Sequence, residues 1–367
     1  MTTHARETAP RLRGVAGQEH DRTDPMVDWW HPVGWAADFR TTPRRTVLLG
    51  RTLVLWRDRT GTVRCLRDLC VHRGTALSLG EVHDGDIVCP YHGWRFGGDG
   101  RCTAIPQLPA DRAVPAGAAV PSFHCQERYG LIWVCLADKP RAGIPAFPEW
   151  EAEGFRHAAC PAYTWRTGAA RMVENFTDFG HLGWLHDGLL GMRSDLVVPD
   201  HHVRRVGHEL HYSLTMNVPS AEGVNDLQAE TGTMTNTYVL SFPHAIHLRS
   251  HYPDTGRSRV LFFAAQPVDS ETSTGYCYQS RDFDLDGDDQ HYIDFQEVLA
   301  EQDRLVVESQ RPEQLPMDIA DELHLKFDRV AVEYRKALAD HQTRPEPAEP
   351  AESAGSDEAR RKVPAWT

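Results

Sequence analysis

Cys70-Val-His72, then sixteen residues, then Cys89-Pro-Tyr-His92 is the stretch on which the reading of this chain turns. Each half offers one thiol and one imidazole on a short segment. Gly74 and Gly93 stand just behind the histidines. A buried cysteine is often no more than a small apolar side chain, so either pair alone carries little weight. Two pairs in the same order, each followed by glycine, are a metal-ligand pattern. Structural zinc sites favour CxxC-type knuckles with two to four residues between ligands. Here one pair is separated by a single residue and neither pair is CxxC, so zinc is the weaker alternative. His83, between the pairs, is read as an exposed loop residue. Cys65, Cys102, Cys125, Cys135, Cys160 and Cys277 have no partner at metal spacing and are read as structural.

Working outward, short runs rich in Val, Leu and Thr flank the two pairs: 46–49, 52–56, 62–66, 87–88, 94–96 and 131–136. Their composition and the turn signals between them predict strands. Asp58-Arg-Thr-Gly61 reads as a turn. Gly97-Gly-Asp-Gly100 reads as a hairpin turn and not a phosphate loop, because no helix follows it and GxGxxG is not matched. Two tryptophans, Trp29 and Trp30, are costly to leave in water and mark the start of ordered structure. Residues 28–150 are therefore expected to form a small all-β domain. Residues 1–27 are expected to be flexible, and the Pro-, Glu- and Ala-rich tail 343–367 to be disordered. From 151 to 342, runs at 210–218, 235–240, 258–265 and 274–279 predict strands, and helices are expected near 170–186, 290–310 and 318–340. Strands that follow one another without regular crossover helices give an α+β class with an antiparallel sheet.

A [2Fe–2S] cluster of the Rieske type needs two thiolates on one iron and two imidazoles on the other. CxH plus CxxH supplies that set, and the stretch resembles the Rieske domain, including Arg73-Gly74 and Gly93-Trp94. The resemblance implies that Cys70 and Cys89 hold one iron, and His72 and His92 the other. Respiratory Rieske proteins carry a further cysteine in each loop, joined as a disulfide. Thr75 and Tyr91 fill those places here, which points to the oxygenase branch.

The second constellation is Glu174-Asn-Phe-Thr-Asp178-Phe-Gly-His181-Leu-Gly-Trp-Leu-His186. On a helix Asp178 and His181 would share a face. His181 and His186, five apart, would not align, and Gly180 and Gly183 are expected to let the chain bend there. A helix end capped by histidines is the bland alternative. Two histidines invite a carboxylate, since iron sites that activate dioxygen often use two histidines and one carboxylate. At 100° per residue, Phe295, Leu299 and Val306 make one face of the predicted 290–310 helix, and Asp303 falls near its middle. Glu297, Glu301 and Glu308 fall on the other side. A carboxylate aimed at a core is expensive unless it is paired or bound to metal; a buried salt bridge is the alternative for Asp303.

This half resembles the Rieske non-haem iron oxygenases. Their NxxDxxHxxxxH signature is matched from Asn175 to His186, and residues 302–316 look like the late carboxylate segment of the vanillate-demethylase-like members. The resemblance spans about 28–340. It implies a terminal oxygenase (alpha) subunit with mononuclear Fe(II) on His181, His186 and Asp303, and with O2 as co-substrate. It also implies a homotrimer in which Asp178 bridges between subunits to His92, with Asn175 supporting the iron ligands. The implied activity is monooxygenation of an aromatic or heteroaromatic small molecule, by O- or N-demethylation or hydroxylation. Dihydroxylation, N-oxygenation and oxidative cyclisation are alternatives on the same iron. An electron-transfer Rieske protein is the rival from another class, and the DxxHxxxxH half argues against it.

The chain has 39 basic and 52 acidic side chains, 39 − 52 = −13, which disfavours nucleic acid and anionic membranes. No signal-like core and no stretch near ~20 apolar residues is present, so a cytoplasmic location is expected, with reduced cysteines. Without GxGxxG or a P-loop, a separate NAD(P)H-dependent reductase is expected, with or without a ferredoxin. Arg73, Arg95 and Arg101 are candidates to dock an acidic electron carrier.

Overall fold

The computed structural model describes residues 24–39, 42–217 and 233–342. The segments expected to be flexible or disordered, 1–27 and 343–367, lie almost entirely outside these. Met26 is already buried, and the Val27 carbonyl accepts N–H bonds from Leu136 and Ala137, so the chain is anchored from there on.

The first half is all-β. One sheet runs β1 (His31–Trp35), β10 (Leu131–Cys135), β9 (His124–Arg128). A second runs β2 (Arg44–Leu48), β3 (Arg51–Arg57), β4 (Val63–Arg67). A third carries the two Cys-His loops: β5 (Glu81–His83), β6 (Asp86–Val88), β7 (Arg95–Phe96), β8 (Cys102–Ala104). Both predicted turns are present. The Asp58 amide donates to Thr62, and the Gly97 amide to Arg101 across the β7–β8 hairpin. His83 is exposed, but it belongs to β5 rather than to a loop.

The second half is built on one antiparallel sheet. Its strands are β11 (Arg156–Ala159), β12 (Tyr163–Trp165), β13 (Val203–Val206), β14 (Glu209–Asn217), β15 (Thr233–Ser241), β16 (Ala245–Tyr252), β17 (Arg257–Pro267) and β18 (Ser273–Arg281). The order is β11-β18-β17-β16-β15-β14-β13, with β12 also on β18. From β13 to β18 the strands form a meander, each paired with its successor, as short antiparallel connections allow. Helices α1 (Ala169–Thr177), α2 (Gln290–Val307) and α3 (Arg329–Gln342) cover one face of this sheet. The α+β reading therefore holds.

Three helix expectations need correction. α1 stops at Thr177, because Asp178 takes an extended backbone and its carboxylate captures following amides. α3 begins at Arg329 after a single 3-10 turn over Lys326–Asp328, not at 318. On α2 the buried stripe is Tyr292, Phe295, Gln296, Leu299, Ala300, Asp303 and Val307, while Val306 is exposed. Spacings of three and four select that stripe. Glu308 is not simply solvated: it pairs with Arg304 and accepts the Arg166 amide.

The halves are joined tightly. Leu49 and Gly50 donate amides to Pro267 and Val268, and Gln266 reaches the Val47 carbonyl. Trp35 sits edge-on to Tyr276 and Tyr278, and the Tyr278 hydroxyl donates to the Tyr129 carbonyl. Trp29, in the first half, is buried in the core of the second.

Candidate metal centres and substrate pocket

The two Cys-His loops repeat one backbone pattern. The Cys70 amide donates to Thr75 and the Gly74 amide returns to Cys70; the Cys89 amide donates to Trp94 and the Gly93 amide returns to Cys89. Gly74 (φ +70°) and Gly93 (φ +71°) close the turns in the left-handed region that glycine tolerates. The sequence thus produces two matching fingers, each presenting a sulfur and an imidazole. The rings of His72 and His92 lie 4.4 Å apart. Trp94 stacks on His72 at 4.5 Å, fixing its plane. Burial pushes the Cys70 thiol up to about 11, while the His72 and Arg73 amides aimed at its sulfur favour the thiolate. The His72 Nδ1 atom is buried with no hydrogen-bond partner. Paired sulfurs, paired imidazoles and an orphaned ring nitrogen fit a two-iron group held S,S at one end and N,N at the other. Tyr91 is exposed and packs on His92, so no disulfide spans the loops.

In the second half His181, His186 and Asp303 bring one ligand atom each within 4.8 Å of one another. Asp178 and His181 meet in a tight turn rather than on a helix face, which corrects the expectation. The Asp178 carboxylate accepts the Gly180 amide at 2.8 Å, the His181 amide at 3.2 Å and His181 Nδ1 at 2.9 Å. Its pKa is lowered: burial works against this, but the bonds from His181 and Gly180 outweigh it. The glycines act through close packing. A Cβ on Gly183 would stand 2.9 Å from Leu196 and 3.0 Å from the Met192 carbonyl, and neither Gly180 nor Gly183 has a positive φ.

His181 Nε2 lies 3.6 Å and His186 Nε2 3.0 Å from the same oxygen, Asp303 Oδ1. The outer nitrogen of each ring is engaged elsewhere, His181 with Asp178 and His186 with Gln302 Oε1 at 2.7 Å. Both rings are thereby fixed with Nε2 turned inward, as metal-binding histidines require. Asn175 Nδ2 donates to Asp303 Oδ1 at 3.2 Å. Burial lowers the His186 pKa, but Asp303 and Gln302 overcome it and the net shift is upward. Two imidazoles and one carboxylate on one side, with a pocket on the other, fit a facial two-histidine, one-carboxylate iron site.

That pocket, with a cavity volume of about 80 Å³, lies between the covered sheet face and helices α1 and α2. It holds Asn236, Ser250, Arg259, Gln279 and Gln296 as well as apolar side chains. The sequence reading named none of these, and it missed Gln302. The only signal for Gln302 was its place beside Asp303; the strand residues gave none, because alternation on a two-sided buried sheet does not mark a pocket.

An all-β domain with paired Cys-His loops, joined to a helix-covered antiparallel sheet carrying two histidines and a carboxylate, defines an iron–sulfur oxygenase of the non-haem type. Two families match the chain: the Rieske [2Fe-2S] domain over 29–124 and the vanillate O-demethylase oxygenase C-terminal domain over 165–343. Methylxanthine N1-demethylase NdmA of Pseudomonas putida is 32% identical over 326 residues, 87% of this chain and 90% of the relative. Methylxanthine N3-demethylase NdmB of the same organism is 30% identical over 84% of this chain and 87% of the relative. The solved structure of NdmA with caffeine superimposes with a TM-score of 0.79 at 31% identity, covering 88% of this chain and 92% of that one. Dicamba monooxygenase bound to dicamba shares the fold at 21% identity, TM-score 0.77. The chain belongs to the Rieske non-haem iron oxygenases and is a terminal oxygenase subunit. It is an oxidoreductase that uses a Rieske [2Fe–2S] cluster, mononuclear iron and O2, with electrons from a separate reductase component. Among the described residues no helix is long and apolar enough to cross a membrane.

Proposed function

We propose that this oxygenase removes a methyl group from, or hydroxylates, a heteroaromatic small molecule, with demethylation the principal reaction. One observation carries the proposal: Asp303 Oδ1 stands within reach of both imidazole Nε2 atoms on the wall of a pocket lined by Phe, Leu and amide side chains. The N-demethylase relatives support the reaction. Cys70, Cys89, His72 and His92 are the proposed cluster ligands, and His181, His186 and Asp303 the proposed iron ligands. Cluster and iron, when bound, supply one-electron delivery and O2 activation.

The residues of this chain do the positioning. Asp178 and Gln302 set the tautomers of His181 and His186, and Asn175 holds the Asp303 carboxylate in place. Phe176, Leu248, Leu261 and Leu299 line the pocket with apolar surface that excludes water and takes up a planar ring. Asp178, its side chain 36% exposed, also suits the bridging role between copies of a homotrimer, meeting His92 of the partner subunit. The division into a cluster domain, 28–150, and an iron domain, 151–342, accompanies this reading, as do a reductase acting with or without a ferredoxin and a cytoplasmic setting.

The test is metal analysis with low-temperature EPR on reduced protein, followed by turnover with a surrogate reductase. About three irons and two sulfides per chain are expected. Formaldehyde should be released from N-methyl or O-methyl heteroaromatics in step with O2 uptake. Zinc in colourless protein, or O2 uptake without any oxygenated product, would overturn the reading.

A further inference from the structure

We propose that the end of the pocket remote from the metal ligands is a carboxylate-recognition subsite, centred on Arg259. This inference rests on the oxygenase reading above and names the substrate class: an elongated heteroaromatic acid. Three observations support it. Arg259 is a half-buried pocket residue with no hydrogen bond or ion pair among the described residues; its guanidinium lies over the Phe295 ring at 5.2 Å. The acid that lines the same pocket, Asp303, is engaged by Asn175, His181 and His186, and Asp289 is paired with Arg156 and Arg281. A guanidinium in a pocket with no ion pair of its own is free to take a carboxylate by a charge-assisted, two-pronged hydrogen bond.

Sheet register gives the second observation. Asn236 pairs with Ser250, and Ser250 pairs with Arg259, so the three form one row across β15, β16 and β17. The next row is Tyr238, Leu248, Leu261 and Gln279, apolar until its last member. Within the polar row, Ser250 donates to Asn236 Oδ1 at 2.7 Å, and among the described residues the Asn236 amide nitrogen has only the Met216 sulfur as partner, at 3.6 Å. Arg259 thus closes a polar row that lines the pocket beside the apolar one.

The third is an orphan acceptor. Gln279, 2% exposed, donates its amide to Gln296 at 2.6 Å and leaves Oε1 buried with no partner. It asks for an N–H or O–H beside the carboxylate. The spacing to the metal end can be counted along α2. On α2, Phe295 beneath Arg259 precedes Asp303 by eight residues, about 12 Å along the axis. A fused bicycle with its methyl group at one end and its carboxylate at the other suits that separation.

The experiment measures anaerobic binding to the holoenzyme by calorimetry. The probes are 5-methoxyindole-2-carboxylate, its 2-carboxamide, and 5-methoxybenzofuran-2-carboxylate, which lacks the N–H. Wild type is expected to bind the indole carboxylate tightest. Arg259→Leu should weaken the two carboxylates about 10–100-fold while leaving the carboxamide within about twofold. Arg259→Lys should retain part of the preference, and Gln279→Met should erase the preference for indole over benzofuran. Equal weakening of acid and amide by Arg259→Leu, or no weakening, overturns the subsite. So does wild type that binds the carboxamide as well as the acid, or neither measurably, a result that needs no variant to fold. Arg259-dependent binding of an acid that is never oxygenated would leave the subsite standing and remove the demethylation reading instead.

Discussion

Gln302→Leu is predicted to weaken the mononuclear iron site without touching any of its three proposed ligands. The His186 ring is 1% exposed, and its Nδ1–H has a single acceptor, Gln302 Oε1 at 2.7 Å. Leucine has nearly the same volume and no acceptor, so the substitution leaves the N–H buried and unpaired. An unsatisfied buried donor costs about 1–3 kcal/mol. The alternative is for the ring to protonate or turn, and then Nε2 no longer presents its lone pair beside Asp303. Loss of an outer partner of a metal-bound histidine lowers metal affinity about 10–100-fold. That range converts to about 1.4–2.7 kcal/mol at 1.36 kcal/mol per decade, which agrees with the hydrogen-bond figure. The assay is competition for Fe(II) with a chelator of graded affinity, while the EPR signal of the [2Fe–2S] cluster reports that the other half is intact. Gln302→Glu keeps an acceptor and should keep most of the affinity. Iron affinity in Gln302→Leu equal to wild type would refute the reasoning, because it would mean that the ring is held by packing alone.

Asp178→Asn should leave both metals bound and slow turnover about 10–100-fold, because the amide still orients His181 but lacks the carboxylate charge; near-normal turnover would remove the bridging role. Arg335→Met should cost about 1–3 kcal/mol, since Arg335 is 1% exposed and binds Glu174 and Glu322, which keep Arg171 as their remaining partner; denaturant midpoints equal to wild type would contradict this. Acid should destabilise the fold through His31, which burial pushes down to about 4 from the ordinary 6.5. The unfolded chain takes up this proton below pH 6.5 and the folded chain only near pH 4. Stability therefore falls by about 3 kcal/mol as pH drops through that window and levels off below it. Unfolding free energies across pH 7 to 4 should show a shallower fall in His31→Gln, and an unchanged slope in that variant would reject the assignment.

What the sequence made legible follows a physical line. Residues that act together within one short segment declare themselves: Cys70 with His72, Cys89 with His92, and Asn175, Asp178, His181 and His186 in a dozen positions. Asp303 was readable because a helix has a fixed period, and a carboxylate on the buried stripe of α2 needs a reason. The α1 boundary was misplaced because Asp178 competes with the helix for backbone amides, a local contest that spacing alone does not decide. β16 was missed because His247, Arg249 and His251 alternate with apolar residues and dilute its composition, although its sheet partners hold it on both sides.

The pocket's chemistry was the least legible part, for a reason that also locates it. Its polar row exists only through register: Asn236, Ser250 and Arg259 are separated along the chain by fourteen and nine residues and meet because β15, β16 and β17 pair as they do. No local pattern encodes such a meeting. The proposed metal ligands, by contrast, sit in the turns that follow α1 and on α2, outside the sheet strands. The strands can therefore change substrate contacts while α2 and the turns after α1 keep the same three ligands. Under that arrangement, differences in substrate among oxygenases of this architecture belong to the sheet face. Arg259, on the inner strand β17, is where this chain has placed a charge in the pocket that no hydrogen bond or ion pair among the described residues engages.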